Sequence, residues 1–262
     1  MGSVRVVRAV ADMHLLRDPR ILMNLLVHER RQRARIVEND YSQPDITLVM
    51  RNELAHWMLQ VCELEFCEEG VFPLAMSYVR SYLSLVPVCR SNLRLLGCIC
   101  LLIASKIRTD TPLSVSKLEH YTGYTVSTHL ITEWEPFIIR HLNWDLAIII
   151  PHDFIDYMLE RVIISAEMRL SVRVSAAAYL TLCTIECPLF KYPPSTLAAV
   201  CIGKSMCDMG LILTPVGDVN IYLSALAETT VETTHVHSQP QQLDPDNIFC
   251  IEAFYEPVQK SL

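Results

Sequence analysis

Apolar residues recur at helical spacing along most of this chain. Met50, Leu54, Trp57, Met58 and Val61, for example, form one stripe at positions i, i+4, i+7, i+8 and i+11, the pattern of an amphipathic α-helix. Similar stripes predict an N-terminal helix followed by two sets of five helices. The predicted helices span residues 19–33; then 50–66, 70–85, 92–108, 114–121 and 127–142; and then 152–163, 167–183, 193–208, 217–230 and 245–258. We therefore predict an all-α fold.

The third helix of each predicted set is apolar on all sides and rich in small residues. The strings LLIASK (residues 101–106) and AVCIGK (residues 199–204) match in kind at corresponding places. A helix that is apolar all round belongs in the centre of a bundle. The chain is thus predicted to carry two repeats of one helical unit. We place the N-terminal helix and first repeat in residues 1–148, and the second repeat and tail in residues 149–262.

Composition supports this class and narrows the function. Apolar residues make up 51% of the 262 residues and only seven are glycine, which favours helices over a turn-rich β architecture. No apolar run reaches the roughly 18 residues of a membrane span, and no signal-peptide core is visible, so we expect a soluble intracellular protein without membrane contact. The net charge of −7 argues against direct nucleic-acid binding.

The chain offers few groups for catalysis or metal binding. It has no glycine-rich phosphate loop, no G-x-S-x-G and no H-E-x-x-H motif, so we predict a non-enzymatic protein that acts through a surface and needs no cofactor. The ten cysteines include no C-x-x-C pair and are expected to be reduced core thiols. His235 and His237, the weak candidates for metal binding, lack nearby paired cysteines. Four clustered arginines are open to interpretation as a solvated helix face, a nuclear-import signal or a docking patch: Arg30, Arg31, Arg33 and Arg35.

Several motifs, in the same order, resemble the cyclin family. Met50-Arg51 followed by Trp57 is similar to the first helix of the cyclin box. The blocks VFPLAMSYVRSYL (residues 71–83) and LLGCICLLIASKIR (residues 95–108) are similar to the second and third helices of D-type cyclins, and IPHDFI (residues 150–155) resembles their junction between repeats. The SKIRT string (residues 105–109) and many local departures are most similar to herpesvirus-encoded cyclins of the D-type branch.

This resemblance implies a cyclin fold and a regulatory function. The chain would bind and activate a host cyclin-dependent kinase and drive the cell cycle from the first gap phase toward DNA synthesis. The retinoblastoma protein would be a substrate of the complex, and the protein would be found in the nucleus and cytoplasm. Two alternatives remain open: a decoy that binds a kinase or inhibitor without activation, and a cyclin-fold transcription adaptor. The preferred kinase also remains open.

The resemblance also indicates which residues would contact the kinase. Lys106 follows Ala104-Ser105, and Glu135 comes 29 residues later, as in the family's polar contacts to the kinase. The apolar positions that carry over are Ile103, Ile107, Ile139, Trp144 and Leu146. Met50, Leu54 and Trp57 match a patch with which many cyclins dock Arg-x-Leu peptides, although Glu53 occupies a usually apolar position and Gln60 a usually acidic one.

Two further positions depart from the family pattern. Arg80 replaces the aspartate that would pair with Arg51, and we expect Arg80 to turn toward solvent. Arg51 would then bind helix-end carbonyls or a substitute carboxylate such as Glu53 or Glu133. Pro136 follows Glu135 directly, and since proline removes a helical hydrogen bond, the fifth helix should either begin near Glu135 or kink there.

Overall fold

The computed structural model of the chain describes residues 12–35, 43, 45–185 and 192–211, without the side chains of residues 33–35. Every regular element within these residues is a helix, which confirms the all-α prediction. The helices are α1 (Met13–Arg17), α2 (Pro19–Arg35), α3 (Leu48–Leu64), α4 (Val71–Leu85), α5 (Leu93–Arg108), α6 (Val115–Tyr121), α7 (Thr128–His141), α8 (His152–Leu159), α9 (Ala166–Ile185) and α10 (Pro194–Asp208), with a 3₁₀ turn at Arg90–Asn92. The helices predicted at 217–230 and 245–258 lie outside the described residues.

Hydroxyl side chains fix where several helices begin. Thr47, Ser114 and Ser127 cap α3, α6 and α7 by accepting hydrogen bonds from main-chain N–H groups of the first turn. Because α7 begins directly after Ser127 and continues to His141, the prediction that the helix could start near Glu135 is wrong. Pro136 lies inside the helix, whose buried residues Ile131 and Ile138 hold it to the core on both sides of the proline.

The first repeat packs around α5. Twelve of the sixteen residues of α5 are buried, and α3, α4 and α7 all pack against it. Gly97 allows α3 to pack closely against α5, because a Cβ atom at position 97 would lie only 2.8 Å from Cδ1 of Leu54 in α3. The small residues of α5 therefore let α3 lie directly on the central helix.

The second core contains α8, α9 and α10, and α2 packs against it. Leu22 of α2 is buried in the same cluster as Phe154 and Ile155 of α8. Glu29 is also buried, and its carboxylate accepts hydrogen bonds from N (2.6 Å) and Oγ (2.8 Å) of Ser195, in the first turn of α10. The N-terminal helix thus contacts the second repeat, while the boundary between residues 148 and 149 remains a sequence prediction.

Polar contacts join the two repeats. The Arg108 guanidinium at the end of α5 forms a two-pronged ion pair with Asp153 in α8. Arg173 of α9 binds both Glu69, before α4, and Asp156 of α8. No helix of the described residues is long and apolar enough to cross a bilayer.

Candidate protein-binding site

Lys106 and Glu135, which the sequence places 29 residues apart, meet at the surface of the first repeat. Nζ of Lys106, in the last turn of α5, lies 2.5 Å from Oε1 of Glu135, in the middle of α7. The Lys106 side chain is 47% exposed and that of Glu135 is 16% exposed. An ion pair with this much solvent contact contributes little to folding, but its charges remain accessible to a partner.

Apolar residues lie near this ion pair along α5, along α7 and in the turn after α7. Ile107 follows Lys106 and is exposed, and the half-buried Ile139 lies one helical turn after Glu135. The main-chain N–H of Trp144 donates to the carbonyl of Ile139 (3.1 Å), which places the turn after α7 beside these residues. We call Lys106, Ile107, Glu135, Ile139 and Trp144 the Lys106 face.

Trp144 is the largest apolar group on the Lys106 face. Its side chain is 69% exposed, and both Asn143 (φ 53°) and Trp144 (φ 59°) adopt the left-handed conformation. Non-glycine residues in this region are strained, and such strain concentrates at functional sites. An exposed tryptophan held by a strained turn is suited to bind an apolar partner surface.

Two residues that were predicted to contact the kinase, Ile103 and Leu146, pack into or against the core of the first repeat. Ile103 is only 2% exposed and belongs to the core of the first repeat, so the prediction that it lines a contact surface requires correction. Leu146 is half-buried against the same core, and its carbonyl accepts a hydrogen bond from the Tyr78 hydroxyl (2.6 Å).

Sequence reasoning missed a row of aromatic rings along α7. The Phe137 ring contacts Trp134 (5.3 Å between centroids) and His141 (4.2 Å), and His141 also contacts Tyr82 of α4. Phe137 is exposed and neighbours Glu135 along the helix. The W-x-x-F-x-x-x-H spacing could have indicated this row, because positions three and four apart share a helix face.

The predicted docking patch on α3 is only partly available. Leu54 is buried beneath α3, whereas Met50 and Trp57 are half-buried. The Trp57 indole N–H donates to the carbonyl of Tyr121 (3.3 Å), and the Arg94 guanidinium lies 4.5 Å from the centre of the Trp57 ring. Arg94, which the sequence analysis did not identify, therefore places a positive charge where a cationic peptide would approach.

For Arg80, the expectation that its guanidinium reaches solvent stays a prediction, because the side chain is neither fully buried nor fully exposed. Arg80 is half-buried and lines a cavity of about 520 Å³ between the repeats, together with Asp145 and Glu29. Arg51 is also half-buried, and its substitute partner remains a prediction.

A cluster around Glu65 connects the end of α3 to α6. Glu65 accepts hydrogen bonds from Nζ of Lys117 (2.5 Å) and from the Tyr121 hydroxyl (2.7 Å). Burial raises the pKa of Glu65, but the hydrogen bonds from Lys117 and Tyr121 outweigh it and hold this pKa below its usual value. The folded state therefore favours the ionised carboxylate.

This lowered pKa predicts acid sensitivity. The contribution of Glu65 to stability should be complete above the ordinary glutamate pKa of about 4.3 and should disappear as the pH falls through the lower folded-state pKa. We expect the Glu65→Gln variant to lose part of its melting temperature at pH 7 and to converge on the unmodified protein at acidic pH. Thermal melts across this range measure the difference. A constant difference at every pH would contradict the assignment.

The described residues contain no group of three or more His, Cys, Asp or Glu side chains that could hold a metal ion. His235 and His237 lie outside the described residues. The candidate site is the Lys106 face, which α5, α7 and the turn after α7 form.

Comparison with known proteins identifies the family. The model of the cyclin N-terminal domain matches residues 20–147. The chain is 39% identical to G1/S-specific cyclin-D3 of Bos taurus over 231 residues, which cover 88% of this chain and 79% of that protein. It is 34% identical to G1/S-specific cyclin-D2 of Xenopus laevis over 255 residues, with 97% and 83% covered. The chain belongs to the cyclin family, and these relatives are D-type cyclins.

Solved structures agree with this fold. The X-ray structure of a viral cyclin from herpesvirus saimiri superposes with a TM-score of 0.66 at 24% identity and covers 81% of this chain and 94% of that one. A chain of the CAK complex of Chaetomium thermophilum bound to ATP-γ-S gives a TM-score of 0.53 at 11% identity and covers 97% and 76%. At these identities the likeness concerns the fold.

Proposed function

We propose that this chain is a regulatory subunit that binds and activates a cyclin-dependent serine/threonine kinase and drives passage from G1 to S. The observation that carries the proposal is the Lys106–Glu135 ion pair, which lies beside exposed apolar groups on a member of the cyclin family. The relatives are named G1/S-specific cyclins, which supports the stage of the cell cycle. The Lys106 face is the surface that we assign to the kinase.

The composition of this face fits a mobile helix of a kinase. Trp144 and Ile107 supply apolar area, while Lys106 and Glu135 supply a donor and an acceptor. An ammonium group has three donors and the bond to Glu135 uses one, so Lys106 can bind Glu135 and a partner together. A surface that binds the active arrangement of the kinase more tightly shifts the population toward it, with the catalytic Lys–Glu pair and the Mg²⁺-binding Asp in place.

The finer assignments belong to the same proposal. We infer a herpesvirus origin from the SKIRT string (residues 105–109). The kinase would then be a host enzyme, the retinoblastoma protein a substrate of the complex, and the nucleus and cytoplasm of the host cell its location. The chain itself would carry no catalytic activity and bind no nucleic acid.

A panel of kinases tests the proposal. The purified protein is mixed with each of several monomeric cyclin-dependent kinases, and phosphorylation of a retinoblastoma fragment and of histone H1 is measured. Activation of at least one kinase is the expected result. Complex formation by calorimetry without any activation would identify a decoy, and absence of both binding and activation would refute the proposal.

The docking patch yields a separate prediction. We expect weak binding of Arg-x-Leu peptides, because leucine anchoring would desolvate the Glu53 carboxylate and the peptide arginine would meet Arg94. Glu53→Ile should strengthen binding by roughly 1–3 kcal/mol, measured by calorimetry. Glu63→Ile, which changes another exposed glutamate of α3, is the matched control and should have no effect. Sub-micromolar binding by the unmodified protein would contradict this reading.

A further inference from the structure

The turn that ends α3 brings two cysteines together. The N–H of Cys67 donates to the carbonyl of Cys62 (2.9 Å), and the N–H of Phe66 donates to the carbonyl of Glu63 (3.2 Å). Phe66 adopts the left-handed conformation with φ 51°. This pair of bonds defines a Schellman motif, in which the side chains at the positions of Cys62 and Cys67 typically contact each other.

The two thiols differ in access to solvent and in acidity. Cys62 is buried and Cys67 is half-buried, and the turn places them next to each other. The hydrogen bond from Cys62 lowers the pKa of Cys67, with a smaller contribution from Lys117 that opposes the effects of burial and Glu65. The same hydrogen bond and burial raise the pKa of Cys62. Cys67 is therefore the nucleophile of the pair, and Cys62 is the proton donor next to it.

We propose that Cys67 and Cys62 form a peroxide-reactive dithiol that closes to a disulfide across the end of α3. The Cys67 thiolate attacks one oxygen of hydrogen peroxide, forming an S–O bond as the O–O bond breaks and hydroxide leaves. The Cys62 sulfur then attacks the sulfenic sulfur of Cys67, the S–S bond forms, and the oxygen leaves as water with the Cys62 proton. The two sulfurs lose two electrons in total, and one peroxide becomes two waters once the hydroxide is protonated.

The proposed reaction requires a neighbouring thiol and access to solvent, and other cysteines of the chain have only one of these two properties. Sγ of Cys183 and Sγ of Cys201 lie 3.9 Å apart between α9 and α10, but both residues are buried. The hydrogen bond with Cys183 and burial raise the pKa of Cys201. Cys89 is exposed and follows α4. The Cys183–Cys201 pair represents thiol proximity alone, and Cys89 represents solvent exposure alone. The Cys62–Cys67 pair combines both properties.

Peptide mapping of the full-length protein tests the proposal. The reduced protein is treated with hydrogen peroxide, quenched with N-ethylmaleimide under denaturing conditions and digested with trypsin. Residues 52–80 contain no Lys or Arg before Arg80, so Cys62 and Cys67 fall in one peptide, which should escape alkylation and lose two hydrogen atoms. A glutamate-specific protease cuts at Glu63 and Glu65, and the disulfide should keep the fragments joined until reduction.

The oxidation rates and three variants decide between this reaction and general oxidation. We expect Cys62–Cys67 oxidation to be at least about tenfold faster than Cys183–Cys201 oxidation. Cys62→Ser should leave a Cys67 sulfenic acid that dimedone traps, and Cys67→Ser should leave Cys62 reduced. Cys89→Ser should oxidise at the unmodified rate. Equal rates for the two pairs, or unchanged Cys62 oxidation in Cys67→Ser, would overturn the proposal, and mapping of the unmodified protein decides it alone where a variant does not fold.

Discussion

The double variant Lys106→Ala/Glu135→Ala should lose kinase activation while its melting temperature stays nearly unchanged. Truncation of a charged contact that becomes buried in a complex typically costs 2–5 kcal/mol, which is roughly 30-fold or more in affinity. Each single variant should be strongly impaired, because the remaining charge would be buried without its companion. Titration of each variant into a kinase that the unmodified protein activates gives the affinity and the maximal activity separately.

The retained fold follows from the exposure of the pair. Lys106 is half exposed, and an ion pair in contact with water typically contributes at most about 1 kcal/mol to folding. Lys117→Ala is the matched control, because Lys117 is 56% exposed and lies 2.5 Å from Glu65, nearly the same geometry as the Lys106–Glu135 pair. This control should activate normally. Full activation by the double variant would remove the Lys106 face from the kinase interface.

The central helix illustrates what the sequence could predict. The pattern of residues 92–108 is apolar on every side, and the structure buries most of α5 accordingly. The pattern could not place the limit of that burial. Ile103 and Ile107 are four residues apart and share one face of α5, yet the first is in the core and the second is exposed. The difference depends on where neighbouring helices end, which periodicity does not encode.

The candidate site depended on resemblance more than on periodicity. Nothing in helical spacing relates Lys106 to Glu135, because they belong to different helices whose packing brings them together. The contact between Arg94 and Trp57 was missed for the same reason. Local rules left two outcomes open at Pro136, a helix start or a kink, and the structure excludes the start because α7 runs through the proline.

The IPHDFI segment (residues 150–155) shows what structure adds to a motif. Resemblance identified it as the junction between repeats, and the structure gives Asp153 a physical task there. Its carboxylate binds Nη1 (2.6 Å) and Nη2 (3.0 Å) of Arg108 and also accepts the N–H of Ile150 (3.0 Å). The Asp153 side chain thus links the end of α5 and the connector to the start of α8.

Asp153→Ala should therefore destabilise the folded protein more than Asp156→Ala, a comparable change in the same helix α8. It removes three hydrogen bonds and leaves Arg108, whose side chain is 26% exposed, with its main partner lost. We expect a loss of about 2 kcal/mol in the free energy of unfolding, between the values for exposed and buried ion pairs. Urea unfolding measures this loss.

Asp156→Ala is the matched control for Asp153→Ala. Asp156 lies three residues further along α8 and binds Arg173, which keeps its bond to Glu69 (2.7 Å) when Asp156 is removed. The control should cost less than about 1 kcal/mol. Removing Arg108 together with Asp153 should cost less than the sum of the two single changes, because no charge is then left without its partner. Equal losses for Asp153→Ala and Asp156→Ala would mean that the junction does not depend on the Arg108–Asp153 pair.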